Sequence, residues 1–309
     1  MKSLDFLIIG AQKCATTTLF EHLRSHPQIA MPLQKEVPFF TGEDCSPQSW
    51  QAFALEQFGV GQEDKLWGKA SPQYMADPNV AARIRKLMPD TKLVAILRDP
   101  IQRTWSHFCM GQRRDTEHRE FSEAIAPLLA ATGRHAGDLP APPDHAGGYQ
   151  SEAEFYVAWS EYGRILKQFT ACFDPGQLLV LYTEDLENDP AATLDRLLEF
   201  IGLPVGFRPS TLGEVIHRGG ASNRIPHSVR HWLRERKLLY RMWRLLPRAY
   251  QGRLRFQYEQ WNVRKNGNPM SLPDSLHAQL RRHYGEDIRS LLALPIASPP
   301  WADQYLGRI

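Results

Sequence analysis

The stretch Phe6-Leu7-Ile8-Ile9-Gly10-Ala11-Gln12-Lys13-Cys14-Ala15-Thr16-Thr17-Thr18 decides the fold. An unbroken apolar run that stops at a glycine reads as a buried strand over residues 4–9. From Thr16 to Arg24, with Leu19, Phe20 and Leu23 on one face, the pattern turns helical. A strand feeding a turn of small residues and then a helix start aims backbone N–H groups and the positive end of the helix dipole at one point, a seat for an anion. The place of the lysine is distinctive. In G-x-x-x-x-G-K-[ST] the lysine follows the last loop position and reaches the β- and γ-phosphates. Here that position is Thr16, and Lys13 lies inside the loop. The seat suits an anion shorter than a triphosphate.

Working outward, Lys92–Leu97 and residues 177–182 read as two more buried strands and Leu66–Ala70 as a shorter one. Helical patterns fall between them at 79–87, 102–111, 155–169 and 191–201. Alternating strands and helices predict an α/β fold, a central parallel sheet flanked by helices in three layers. Ligands of such sheets bind beyond the strand C-termini, where Gly10, Ser71 and Arg98 all fall.

With 309 residues, 42% hydrophobic and 23% charged, the chain has the composition of one large α/β domain. Between 208 and 256 it carries twelve Arg and Lys against Glu214 and Glu235. That local +10 leaves −7 for the rest of a chain whose total is +3. The segment 227–256 is expected to be a basic helical region facing an anionic ligand or surface. Gly, Pro, Ala and His crowd 133–150, and a flexible insert is expected over about 112–150. Cys14, Cys45, Cys109 and Cys172 form no C-x-x-C pair, which argues against a zinc ribbon or a disulfide framework. Cys14 sits where a helix end could acidify a thiol. No apolar window approaches the length of a spanning helix or a signal-peptide core, so a cytoplasmic protein is expected.

Three further constellations can carry chemistry. Arg98-Asp99-Pro100 with Arg103 and Ser106 puts a guanidinium at a strand end beside a helix start, a second anion seat. Lys35-Glu36-Val37-Pro38-Phe39-Phe40 holds a carboxylate between a cation and two aromatics, a candidate base. Gly68-Lys69-Ala70-Ser71-Pro72-Gln73-Tyr74 ends a short strand with a lysine.

Together these motifs resemble the sulfotransferase family that uses 3′-phosphoadenosine 5′-phosphosulfate (PAPS), most of all its carbohydrate branch, the heparan sulfate sulfotransferases and their bacterial relatives. The resemblance implies a P-loop-like single domain over 1–309 that binds PAPS and releases adenosine 3′,5′-bisphosphate (PAP), without a metal. It implies that Gln12, Lys13, Cys14, Ala15, Thr16, Thr17 and Thr18 hold the 5′ end and Arg98 and Ser106 the 3′-phosphate. Asn223 and Arg224 belong to a late loop that closes on the nucleotide. Lys13 then stabilises the departing oxygen, Lys69 the sulfuryl group, and Glu36 takes the acceptor proton. Ala15 stands where the family commonly has glycine. The implied acceptor is a small molecule or glycan, acidic if the basic segment holds it. Peripheral membrane contact is allowed, nucleic acid is not expected, and the oligomeric state is open. Two alternatives remain at this point: a P-loop kinase or NTPase, and a non-catalytic anion-binding protein using the basic helix.

Overall fold

The computed structural model describes residues 2–42, 44–130, 149–214, 225, 261 and 272–307. Five strands, β1 (Phe6–Gly10), β2 (Ile29–Ala30), β3 (Leu66–Ala70), β4 (Lys92–Leu97) and β5 (Leu178–Tyr182), form one sheet in the order β2-β3-β1-β4-β5. Every pairing is parallel. Among the described residues the helices with described bounds are α1 (Thr16–Arg24), α2 (Pro47–Phe58), α3 (Val80–Leu87), α4 (Pro100–Arg114), α5 (Phe121–Ala130), α6 (Tyr162–Thr170), α7 (Thr183–Asn188), α8 (Pro190–Ile201), α9 (Asp274–Leu292) and α10 (Ala302–Leu306). All five residues of β1 are buried. A strand covered by helices on both faces needs an unbroken apolar run, and this one has it.

β1 is central because its two neighbours lie on opposite sides, β3 with Leu7 opposite Lys69 and β4 with Gly10 opposite Ala95. Chain order therefore reverses direction at β1, and the crevice at its C-terminal end is where an open α/β sheet takes its ligand. Backbone bonds continue past the strand ends on both sides, Ser71 N to Ile8 O at 3.0 Å and Ala11 N to Ile96 O at 2.8 Å. Gly10 is required there. A Cβ on it would lie 2.6 Å from Met75 Cβ and 3.2 Å from the Pro72 carbonyl, so the turn after β3 packs directly on the end of β1.

The expected segments appear with small shifts, and α4 runs a turn longer at its C-terminal end before Asp115 closes it in the left-handed region. The expected helix at 155–169 is broken. Residues Ala158–Ser160 form a short 3-10 turn, and α6 begins only at Tyr162. Tertiary contacts outweigh periodicity here. The Asp287 carboxylate of α9 accepts the N–H groups of Gly163 and Arg164 at 2.8 and 2.9 Å, capping α6 from outside. Ser160 is drawn away to Arg103 and the Pro100 carbonyl. The expected insert also starts too early, since 112–114 complete α4 and α5 packs Phe121, Ala124 and Ile125 inward. Residues 131–148, Asn223, Arg224 and the basic segment 227–256, apart from Trp261 just beyond it, lie outside the described residues.

Candidate active site

The loop after β1 delivers Lys13 to the crevice. Lys13 and Ala15 both adopt left-handed backbone, φ 74° and 65°. This lets the chain turn within three residues, and for a side chain other than glycine it is strained. The N-cap residue Ala15 offers no capping side chain, the first turn of α1 holds no acidic residue, and the Ala15 carbonyl accepts Leu19 N–H at 3.2 Å. A helix start left in this state fits an anion in place of the cap.

β3 supplies the second cation. Lys69 is wholly buried. Its Nζ bonds to Ser71 Oγ and lies 3.1 Å from the Tyr74 hydroxyl. Glu36 reaches the same place from the 35–40 segment. Its N–H donates to the Ala70 carbonyl at 3.1 Å, its φ is 68°, and its carboxylate pairs with Lys35. The field of Glu36 acts on both Lys13 and Lys69. Even so, each lysine is lowered to about 7, first by desolvation. At Lys13 the guanidinium groups of Arg113, Arg114 and Arg98 add to the effect, and at Lys69 the Lys35 ammonium does. The site is thus a pair of under-charged lysines sharing one carboxylate.

β4 supplies Arg98. Its carbonyl accepts the Tyr162 hydroxyl at 3.0 Å, and the same hydroxyl lies 3.6 Å from Cys14 Sγ, so loop and strand end are tied through one phenol. Asp99 caps α4 by accepting Gln102 N at 2.9 Å and is held by Tyr305 at 2.8 Å. This cap sets the start of the helix that carries Ser106, which is 9% exposed. The profile of the sulfotransferase family matches residues 43–207 of this chain, a stretch that includes Lys69, Arg98 and Ser106.

The chain belongs to the sulfotransferase family.

Among curated relatives it is 27% identical over 202 residues to mouse heparan sulfate glucosamine 3-O-sulfotransferase 3B1, covering 64% of this chain and 45% of that one. It is 36% identical over 104 residues to the membrane-associated sulfotransferase kil1 of Dictyostelium discoideum, 34% of this chain and 22% of that one. The chain thus spans less than half the length of these relatives. Among solved structures, a sulfotransferase from Alicyclobacillus acidocaldarius superposes with a TM-score of 0.56 at 22% identity, covering 78% of this chain and 93% of that one, which shows a shared fold.

Within this sulfotransferase-family chain several expected residues take other parts. Burial pushes the Cys14 thiol up to about 11, so the helix end does not acidify it. Cys14 is a small residue that lets the loop close. Arg103 is fully buried and spends its donors on Ser160, the Tyr156 carbonyl at 2.6 Å and His107. His107 stacks on Trp159 with centroids 5.1 Å apart and is lowered to about 4, first by burial. Its ring is buried against Trp159 and Tyr156.

Three features escaped the sequence. Arg113 and Arg114 bear on Lys13 from the last turn of α4, and their spacing of seven and eight residues from Ser106 was the available signal. Glu152 bonds to Gln12 and takes Arg114 Nη1 at 3.2 Å, a contact across 140 residues with no local signature. Tyr162, which ties the loop to β4, had none either.

Proposed function

We propose that this chain transfers a sulfuryl group from PAPS to a hydroxyl or amine of an acceptor. The observation that carries the reading is the convergence of Lys13, Lys69 and Glu36 at the ends of the neighbouring strands β1 and β3, with Arg98 at the end of β4 on the other side. Sulfuryl transfer resembles phosphoryl transfer in its loose, in-line transition state, so positioning and charge neutralisation do most of the work.

Each residue then has one task. The uncapped start of α1, with Gln12 through Thr18, holds the 5′-phosphate. Arg98 and Ser106 hold the 3′-phosphate, with Asn223 and Arg224 closing from the late loop. The acceptor oxygen or nitrogen bonds to sulfur while its proton passes to the Glu36 carboxylate. The bond from sulfur to the bridging oxygen breaks, and its electron pair stays on the 5′-phosphate of PAP. Lys13 meets the charge growing on that oxygen, and Lys69 faces the sulfuryl oxygens.

For the acceptor we favour an anionic glycan. Arg113 and Arg114 beside Lys13 suit a carboxylate or sulfate on it, and several relatives are heparan sulfate enzymes by name. The kil1 relative is membrane-associated by name, and the basic segment 227–256 is our candidate for a similar contact. No described helix is long and apolar enough to cross a membrane. One domain over 1–309 remains our reading of the organisation.

The test is a transfer assay with donor labelled at sulfur, run on heparan-type and neutral glycans, beside thermal-shift titrations with PAP and with Mg-ATP. Label transfer and stabilisation by PAP without magnesium are expected. Stabilisation by Mg-ATP alone would refute the reading.

A further inference from the structure

One hydroxyl joins the two segments that carry Lys69 and Glu36. Tyr74 is 1% exposed, with its ring edge-on to Phe40 at 5.6 Å between centroids. Its oxygen accepts the Phe39 N–H at 2.8 Å and the Phe40 N–H at 3.2 Å. Lys69 Nζ lies 3.1 Å from that oxygen and 4.7 Å from the ring centroid. Arg83 Nη1 holds the Phe40 carbonyl at 2.9 Å, so the end of the segment is fixed through both the N–H and the carbonyl of Phe40. Glu36, three residues before Phe39, is in left-handed backbone with its N–H on Ala70. Strained backbone persists only where its surroundings over-determine it, and here the constraints come from the stretch 69–74 at both ends.

Resting on the transfer reaction proposed above, we infer that Tyr74 is a positioning residue that sets the distance between the Glu36 carboxylate and the Lys69 ammonium. It touches neither donor nor acceptor. Its effect falls on the catalytic step and not on nucleotide binding, because Arg98 and the start of α1 lie on other elements.

Tyr74→Phe keeps the ring and removes the oxygen, freeing two buried N–H groups and one lysine contact. A misplacement of about 1 Å costs on the order of 100-fold in rate. The expected result is a kcat lower by about 10- to 100-fold, with the KM for PAPS and the Kd for PAP within about threefold of wild type. A merely structural role would lower Tm and leave kcat per folded molecule unchanged. Should Y74F not fold, fluorinated tyrosines incorporated at position 74 keep the shape and weaken the acceptor, and kcat should fall stepwise along that series. A kcat within twofold in the variant that folds, or a PAP Kd that weakens in step with kcat, overturns the inference alone. A wild type that neither binds PAP nor transfers sulfur overturns it together with the functional reading.

Discussion

Binding of PAP should take up protons, and the amount follows from the two lysines. Lys13 and Lys69 both titrate at about 7 in the free protein, so each holds about half a proton at pH 7. An anion seated against Lys13 supplies the opposite charge that burial removed and lifts its pKa toward the ordinary lysine range. PAP should therefore bring in about half a proton at pH 7 through Lys13, and a donor that also carries the sulfuryl group about one in all. Between pH 6 and 8 the protonated fraction of a group with this pKa falls about tenfold, and PAP affinity should fall with it, about 1.4 kcal/mol. Isothermal titration calorimetry at pH 7 in buffers of different ionisation enthalpy reads the uptake directly. Lys13→Met should abolish it. Equal heats in all buffers, or affinity that is flat from pH 6 to 8, would refute the reasoning. Stability of the free protein moves the other way. Between about 7 and the ordinary lysine value the unfolded chain holds these protons and the folded one does not, so the contribution of both lysines to stability rises with pH.

Glu36→Gln keeps the shape of the base and removes its charge. It should lower kcat by about 10²- to 10⁴-fold with PAP affinity nearly intact by calorimetry, and near-normal turnover would show that another group takes the proton. Arg98→Ala removes a charge-assisted contact of about 1.5–3 kcal/mol. PAP should bind about 10- to 100-fold more weakly while adenosine 5′-phosphate is unaffected, and equal losses for the two would place Arg98 away from the 3′-phosphate. Ala15→Gly relieves the left-handed φ of 65° and should raise unfolding free energy by about 0.5–1 kcal/mol after the added chain entropy of glycine. Urea denaturation checks this, and a loss of stability would mean the loop carries no strain at Ala15. Gly10→Ala drives a Cβ to 2.6 Å from Met75 Cβ and should destabilise by about 1–3 kcal/mol, measured in the same experiment.

The buried strands, the Lys13 loop and the helix after it are legible in the chain because each is a local event. An apolar run between breakers has few other fates in a domain of this size, and a lysine among small residues at a helix start leaves little else for the backbone to do. β2, α2 and α5 were not legible. A two-residue strand has no period, and Pro47–Phe58 mixes its polar and apolar residues too evenly to mark a face, although Ser46 accepting from Ser49 N caps it. The order β2-β3-β1-β4-β5 also lies beyond any local pattern, and it decides that Lys13 shares the crevice with Lys69 on one side and Arg98 on the other.

Residue types therefore determined the chemistry on offer: two lysines, an arginine and a carboxylate, each beside a strand end. Tertiary structure decided their condition. It buried Lys69, set the charges of α4 against Lys13, raised the Cys14 thiol, brought the Tyr74 hydroxyl onto Lys69 and onto the backbone of Phe39 and Phe40, and enlisted Tyr162 and Glu152 from distant stretches. The reason is that protonation and orientation depend on the whole surrounding volume, which only the folded chain assembles, whereas strand and helix starts depend on near neighbours in sequence.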